Sequence, residues 1–182
     1  MDKIVFLDRD GTINSDFGYV HLPEQLTFIP NSLEGLKILQ KEGYRLFIVT
    51  NQSGIGRGYY TKDQFHQFND FFLQKLTEAG IIVEKTFFCP HLPEDKCNCR
   101  KPKTMLVKNH FKSGEIDFHY SYVIGDKTTD LKFAENLGLK SILVLTGKAG
   151  KDESYNIKPT YTSNNLLEAA KIIIKKWNIG RK

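Results

Sequence analysis

The sequence predicts an open α/β fold, a mainly parallel sheet with helices on both faces, three layers in all. Four short apolar runs, at 4–7, 46–49, 122–124 and 142–145, are continuous rather than alternating, the pattern of strands buried on both faces. Segments with helical periodicity lie between them, and regular alternation of strand and helix argues for a doubly wound sheet. Each run also ends in polar residues. In open parallel sheets ligands bind outside the carboxyl ends of the strands, so those ends are where chemistry is expected.

Taken in chain order, strand 4–7 leads to a helix over 32–42. Leu33, Leu36 and Leu39 share its face, Pro30, Asn31 and Ser32 mark its start, and Gly43 marks its stop. After strand 46–49 comes a helix over 62–79 that opens with Thr61 and Gln64 at capping-box spacing. It carries Phe65, Phe68, Phe72 and Leu76 as an apolar stripe and ends at Gly80. A strand over 83–88 and a helix over 104–112 precede strand 122–124. Helices over 128–137 and 164–177 lie on either side of strand 142–145, and the polar stretch 147–159 reads as a surface loop. With no internal repeat, low-complexity tract or Pro/Gly/Ser linker in 182 residues, the chain reads as one domain, 1–182.

Composition narrows the function classes. Forty per cent hydrophobic and 26% charged residues build a core and exclude a disordered chain. No apolar run approaches the roughly 20 residues of a membrane helix. Asp8, Arg9 and Asp10 directly after the first apolar run are unlike a secretory signal, so a cytoplasmic protein is expected, and a monomer. The formal charge of +5 permits nucleic acid. The lysines are scattered, however, and the mild cluster of Lys171, Lys175, Lys176, Arg181 and Lys182 reads as a solvated helix end. No recognition helix with interleaved aromatics accompanies it. A small anionic substrate is expected, with neither nucleic acid nor membrane as partner.

The strand ends carry groups suited to phosphoryl transfer. The first runs into Asp8-Arg9-Asp10-Gly11-Thr12, the second into Thr50-Asn51, the third into Gly125-Asp126-Lys127-Thr128-Thr129-Asp130 and the last into Thr146-Gly147-Lys148. Asp8 and Asp126 are oxygen ligands of the kind Mg²⁺ takes. A carboxylate also attacks phosphorus to give an acyl phosphate, and Asp10, two residues on, is placed to donate a proton to the leaving oxygen and then to activate water. Thr50 and Asn51 offer donors to phosphate oxygens. Either Lys101 or Lys127 completes the charge neutralisation. Singly, each element is as readily a turn or a helix cap; together, at several strand ends, they point to phosphoryl transfer.

These residues resemble a known family. Asp8-x-Asp10-Gly11-Thr12, Thr50-Asn51, a lysine after a loop, and Gly125-Asp126-x-x-x-Asp130 resemble the four motifs of the haloacid-dehalogenase-like (HAD) phosphatases. The strings FLDRDGTIN, VTNQSGIGRGYYT, CPHLPEDKCNCRKPK and VIGDKTTD look like the subgroup containing heptose bisphosphate phosphatases and histidinol phosphatases. The resemblance implies an HAD-like Rossmannoid fold and Mg²⁺ dependence. It makes Asp8 the nucleophile and a metal ligand, and Asp10 the general acid/base with its main-chain carbonyl on the metal. Asp126 becomes the second carboxylate ligand, and Asp130 a support behind the site. Thr50 and Lys101 would bind the transferring phosphoryl group, with Asn51, Arg57, Arg100 and Lys127 around the substrate. The large lid domains of the family have no counterpart, because no long insert separates the first two motifs.

All three cysteines fall within residues 89–99, too clustered for a scaffold of bridges. Cys89, His91, Cys97 and Cys99 make a closed set of four N/S ligands that fits tetrahedral structural Zn²⁺. The bland alternative, buried cysteines and a surface histidine, suits poorly a loop holding Pro90, Pro93, Glu94, Asp95 and Lys96. The loop, 89–103, is expected to hold Arg100 and Lys101 at the phosphate site. Its short spacer and the string CPHLP look more like histidinol phosphatases, whereas the strings around Arg57 and Lys148 resemble the heptose enzymes. A sugar bisphosphate is the expected substrate, with histidinol phosphate as the alternative.

Overall fold

The computed structural model describes residues 1–180; Arg181 and Lys182, two members of the basic cluster, lie outside them. The strands β1 (Ile4–Leu7), β2 (Arg45–Asn51), β3 (Lys85–Cys89), β4 (Tyr122–Gly125), β5 (Lys140–Val144) and β6 (Tyr161–Ser163) pair in parallel throughout. Their order is β3-β2-β1-β4-β5-β6. The chain therefore builds outward from β1 in one direction and then in the other. This reversal opens a crevice at the carboxyl ends of β1 and β4.

Two cores sandwich the sheet. Val5, Leu7, Leu46, Ile48, Tyr122 and Ile124 pack on the face that carries α1 (Ser32–Lys41), α3 (Lys62–Glu78) and α6 (Leu166–Gly180). Ile4, Phe6, Phe47, Val49 and Val123 fill the opposite face under α4 (Met105–Lys108) and α5 (Thr128–Leu137). β1, β2 and β4 thus feed both cores, which is why their apolar runs are continuous. Burying one such side chain contributes about 2 kcal/mol. On α3 the stripe Phe65, Phe68, Phe72 and Leu76 is buried. Its capping box is closed, with the Gln64 amide donating to Thr61 Oγ1 at 3.1 Å and the Thr61 amide to Gln64 Oε1 at 2.8 Å.

Three elements differ from the expectations. The helix expected over 104–112 is a single turn, α4, since Asn109 and His110 are poor helix formers and Thr104 makes no side-chain cap. The residues 53–56 form a short helix, α2 (Ser53–Gly56), where the glycine-rich string reads as loop. The edge strand β6 is too short and too polar to stand out. The stretch 147–159 is largely irregular, yet it does more than cover surface. Asp152 accepts from the Thr128 amide at 2.6 Å and the Thr128 hydroxyl at 2.9 Å, capping α5 from 24 residues away where its own N-cap residue, Lys127, offers no side-chain cap bond.

Two stability predictions follow from this packing. At Gly35 of α1, a Cβ would lie 2.7 Å from the Leu166 carbonyl oxygen of α6. Gly35→Ala is expected to lower stability by about 2 kcal/mol in urea titration, by wedging the two helices apart; an unchanged midpoint would show that the seam yields. Burial opposes ionisation of Asp152, but the Thr128 amide and hydroxyl outweigh it and hold the carboxyl below its usual range. A carboxylate depressed on folding stabilises above its unfolded pKa of about 3.9 and loses that contribution as pH falls through the folded value. Asp152→Ala is therefore expected to cost about 1 kcal/mol at neutral pH. Its deficit from wild type should shrink below about pH 4 in denaturation curves recorded down a pH series; a deficit constant in pH would refute the cap.

Candidate active site

Asp8 follows β1 directly, and its amide donates to the Ile124 carbonyl of β4 at 2.9 Å, which fixes it at the crevice. Thr50 and Asn51 close β2, and Asp126 follows β4. Lys101 arrives from the loop after β3. Asp8, Thr50, Asn51 and Lys101 meet in a cavity of about 250 Å³ whose twelve lining residues are all polar, among them also Asp10, Lys127 and Asp130; Asp126 is buried outside that lining.

Charge organises the floor of this cavity. The Lys101 ammonium, 4% exposed, donates to Asp8 Oδ1 at 2.8 Å and to the Val49 carbonyl at 2.6 Å, and pairs with Asp130 Oδ1 at 2.7 Å. All three of its N–H groups are thereby engaged. Burial opposes its charge, but the Asp130 and Asp8 carboxylates overcome this and raise its pKa above the usual lysine range. In return, although burial works against ionising Asp8, Lys101 and then Lys127 hold its carboxyl below the usual range. Asp8 is thus an ionised carboxylate with a free edge. Lys127 Nζ stands 4.0 Å from Asp8 and 3.9 Å from Asp126, and 3.4 Å from Asp16 at the rim.

Asp126 is fully buried, and burial, with the Asp8 charge beside it, pushes its carboxyl up to about 8. Its Oδ2 accepts from the Lys148 amide at 2.6 Å, whereas its Oδ1 has no hydrogen-bond partner. Carboxylate oxygens of Asp8, Asp126 and Asp130 all lie within 4.8 Å of one another. A Cβ at Gly11, whose φ is +90°, would stand 2.5 Å from the Asp126 carboxylate, and one at Gly147 would also collide with it. Only glycine lets the backbone close around this group. An orphaned buried oxygen, converging carboxylates and a glycine cradle fit a small hard cation such as Mg²⁺. Asp130 is already occupied by Lys101 and by the Lys127 amide at 3.1 Å, which leaves Asp8 and Asp126 as the carboxylates open to an ion.

Asp10 accepts four hydrogen bonds: from Arg9 Nε at 3.0 Å, Arg9 Nη2 at 2.8 Å, Asn14 Nδ2 at 2.9 Å and Gln52 Nε2 at 3.0 Å. Arg9 is wholly buried, donates also to the Val20 carbonyl at 2.9 Å, and lies over the Phe68 ring, 4.9 Å from its centroid. Its Nη1 has no hydrogen-bond partner, and the aromatic face answers part of that charge.

The cysteine loop packs beside the cavity. Cys89, His91, Cys97 and Cys99 place their donor atoms 3.1–3.7 Å apart in the recorded pairs, close to the roughly 3.7 Å edges of a tetrahedron of ligands about 2.3 Å from Zn²⁺. The cluster is consistent with a zinc site. Lys103 ties the loop by donating to the Lys96 and Cys97 carbonyls at 3.0 and 2.7 Å. Arg100 Nη1 donates to the His91 carbonyl at 3.1 Å, and Lys101 follows at once.

The expected residues do not all play the expected parts. Thr50, Lys101, Lys127, Asp130 and Arg100 line the cavity. Asn51 lines it too, but its amide is taken by the Lys101 main chain, accepting from the Lys101 amide at 3.0 Å and donating to its carbonyl at 3.2 Å. Arg57 is exposed and lies outside the lining, and Lys148 meets the site through its backbone amide while its side chain is exposed. Reading the sequence missed Arg9 and Gln52, which grip Asp10, and Asp152, which borders the cavity. Arg9 carries a signal in retrospect, a cation between two acids at the end of a buried strand. Gln52 and Asp152 carry none.

Comparison with known proteins agrees with this geometry. An HAD-hydrolase-like family model matches residues 98–169. A D-glycero-beta-D-manno-heptose-1,7-bisphosphate 7-phosphatase of Haemophilus influenzae is 39% identical over 180 residues, 95% of this chain and 97% of that protein. A probable D-glycero-D-manno-heptose-1,7-bisphosphate 7-phosphatase from Thermoplasma volcanium is 47% identical over 138 residues, 75% and 94% of the two chains. The histidine biosynthesis bifunctional protein HisB of Blochmanniella floridana is 40% identical over 144 residues, 78% of this chain but 40% of that protein. The crystal structure of D,D-heptose 1,7-bisphosphate phosphatase from B. bronchiseptica, complexed with magnesium and phosphate, superposes with a TM-score of 0.85 at 28% identity, covering 96% and 99% of the two chains. Strand-end carboxylates, the buried lysine and the near full-length likeness together lead to one conclusion: the chain belongs to the D-glycero-D-manno-heptose-1,7-bisphosphate 7-phosphatase family of HAD-like phosphatases.

Proposed function

We propose that this single-domain, cytoplasmic protein hydrolyses the 7-phosphate of D-glycero-D-manno-heptose 1,7-bisphosphate through an aspartyl-phosphate. The observation that carries the reading is the Asp8 carboxylate, gripped by Lys101 at 2.8 Å and facing an all-polar cavity. Asp8 attacks phosphorus as the bond to the sugar oxygen breaks, and Asp10 gives that oxygen its proton. Asp10 then takes a proton from water, whose oxygen attacks phosphorus. The bond to Asp8 breaks, releasing phosphate and restoring the carboxylate. Thr50 donates to a phosphoryl oxygen, while Lys101 and Lys127 offset the charge of the transferring group. Asp8, Asp126 and the main-chain carbonyl of Asp10 would hold Mg²⁺, which would supply Lewis-acid charge to the phosphoryl group. Asp130 acts behind them by fixing Lys101. Zinc in the cysteine cluster is structural, because all four ligand positions come from the protein. Arg100 borders the pocket where the rest of the sugar phosphate lies.

Phosphate release with Mg²⁺ is expected to favour the heptose bisphosphate over histidinol phosphate by at least 100-fold in kcat/KM, which is about 2.7 kcal/mol of transition-state discrimination. Asp8→Asn should lose turnover while keeping its thermal transition. A preference for histidinol phosphate would reassign the substrate, and an active Asp8→Asn would remove the nucleophile.

Metal analysis of the purified protein should find about one zinc per chain that survives dialysis. Cys97→Ser should lose the metal, melt earlier and turn over more slowly, because Arg100 and Lys101 are no longer anchored. A metal-free protein with full activity would contradict the structural role.

A further inference from the structure

We infer that Gln52 and Tyr60 form a relay that fixes both the Asp10 carboxylate and the Thr50 hydroxyl, making Gln52 a positioning residue for the reaction. The inference rests on the reading that Asp10 moves the proton and Thr50 grips the phosphoryl group. Neither Gln52 nor Tyr60 lines the cavity, and each is only 3% exposed. The Gln52 amide nitrogen donates to Asp10 Oδ2 at 3.0 Å and to Thr50 Oγ1 at 2.8 Å, and the Tyr60 hydroxyl donates to Gln52 Oε1 at 2.5 Å.

The chemistry of these groups leaves little choice of orientation. Asp10 Oδ2 accepts from Arg9 Nη2 and from the Gln52 amide nitrogen while the amide oxygen accepts from Tyr60, so the nitrogen faces Asp10 and the oxygen faces away. Tyr60 holds that orientation by donating to the oxygen. Burial pushes the Tyr60 phenol up to about 12, so the donor stays protonated at neutral pH. Because Thr50 Oγ1 accepts from Gln52, its own proton is left for a phosphoryl oxygen. Tyr60 is itself locked in place. Its ring stacks on His21 with centroids 4.5 Å apart and planes at 10°, and a Cβ at Gly54 would collide with it. The segment around α2 is thus tied to the proton-transfer group through Gln52 and Tyr60, two residues outside the cavity lining.

The test measures kcat/KM for Gln52→Leu, Tyr60→Phe, their double variant and Asp10→Asn. The substrates are heptose 1,7-bisphosphate, whose leaving oxygen needs a proton, and p-nitrophenyl phosphate, whose leaving group does not. Gln52→Leu is expected to lose about 100-fold on the sugar phosphate and at least about tenfold less on the aryl ester. Tyr60→Phe, which keeps the ring and its stacking, should lose about tenfold on the sugar phosphate and add nothing in the Gln52→Leu background. Equal losses by Tyr60→Phe in both backgrounds, equal losses by Gln52→Leu on both esters, or wild-type kcat/KM for Gln52→Leu while Asp10→Asn is dead would each overturn the relay alone. An active Asp10→Asn would overturn the underlying reading and the relay with it.

Discussion

The Lys101 ammonium, buried between Asp8 and Asp130, is the interaction on which the rest of the site depends. Asp8 and Asp130 lie side by side at the floor of the cavity, and without a cation between them their charges would repel. Removing one partner of such a buried pair costs about 3–5 kcal/mol, because it strands the other charge away from water. The surroundings accordingly hold Lys101 by more than its side chain. Asn51 pairs with both polar groups of its main chain, and the last cysteine of the loop stands two residues before it. That loop is therefore part of the site although none of its four clustered donors lines the cavity. It delivers the Lys101 charge to the cavity from a loop rather than from a strand end.

What the sequence disclosed was everything written in continuous chain. Apolar runs 4–7 and 46–49 appear as β1 and β2 because strands buried on both faces need no partner to be recognised. Asp8, Thr50 and Asp126 stood out because polar groups at such strand ends have no packing role to explain them, and the four donors of the cysteine loop because they lie within 11 residues. What stayed hidden was pairing across the fold. Nothing near Asn51 says that its amide meets Lys101, 50 residues on. Nothing in the polar stretch after Gly147 says that Asp152 returns to cap α5. Arg57 misled in the opposite sense: a basic residue in a glycine-rich string suggests anion binding, and the fold leaves it in solvent. β6 escaped because three residues of mixed polarity carry no periodicity.

The cavity wall shows how polar groups are kept single-minded in a small protein. Arg9 sits inside the core at the cost of desolvating a guanidinium, and it is tolerated because Asp10, the Val20 carbonyl and the Phe68 ring answer it from three sides. Arg9 reaches Asp10, while the ammonium of Lys101 reaches Asp8. Two cations serve two carboxylates that are separated by one residue in sequence, so Asp8 and Asp10 are given different surroundings by their partners.

The seam where Gly35 admits the backbone of Leu166 bears on how the chain acquires its structure. The helix that opens the first crossover is covered only when the last helix arrives, 131 residues later. β1, at the centre of the sheet, likewise waits for β4, and the Ile4 amide for the Ser121 hydroxyl 117 residues away. Contacts of such long sequence separation must be won against loop-closure entropy before they repay it. A chain emerging from its N-terminus cannot therefore assemble its core piecemeal. The half-sheet β1–β2–β3 exposes an unpaired central edge until β4 is in place, and Asp8, which follows β1, gains the Ile124 carbonyl as its partner only then.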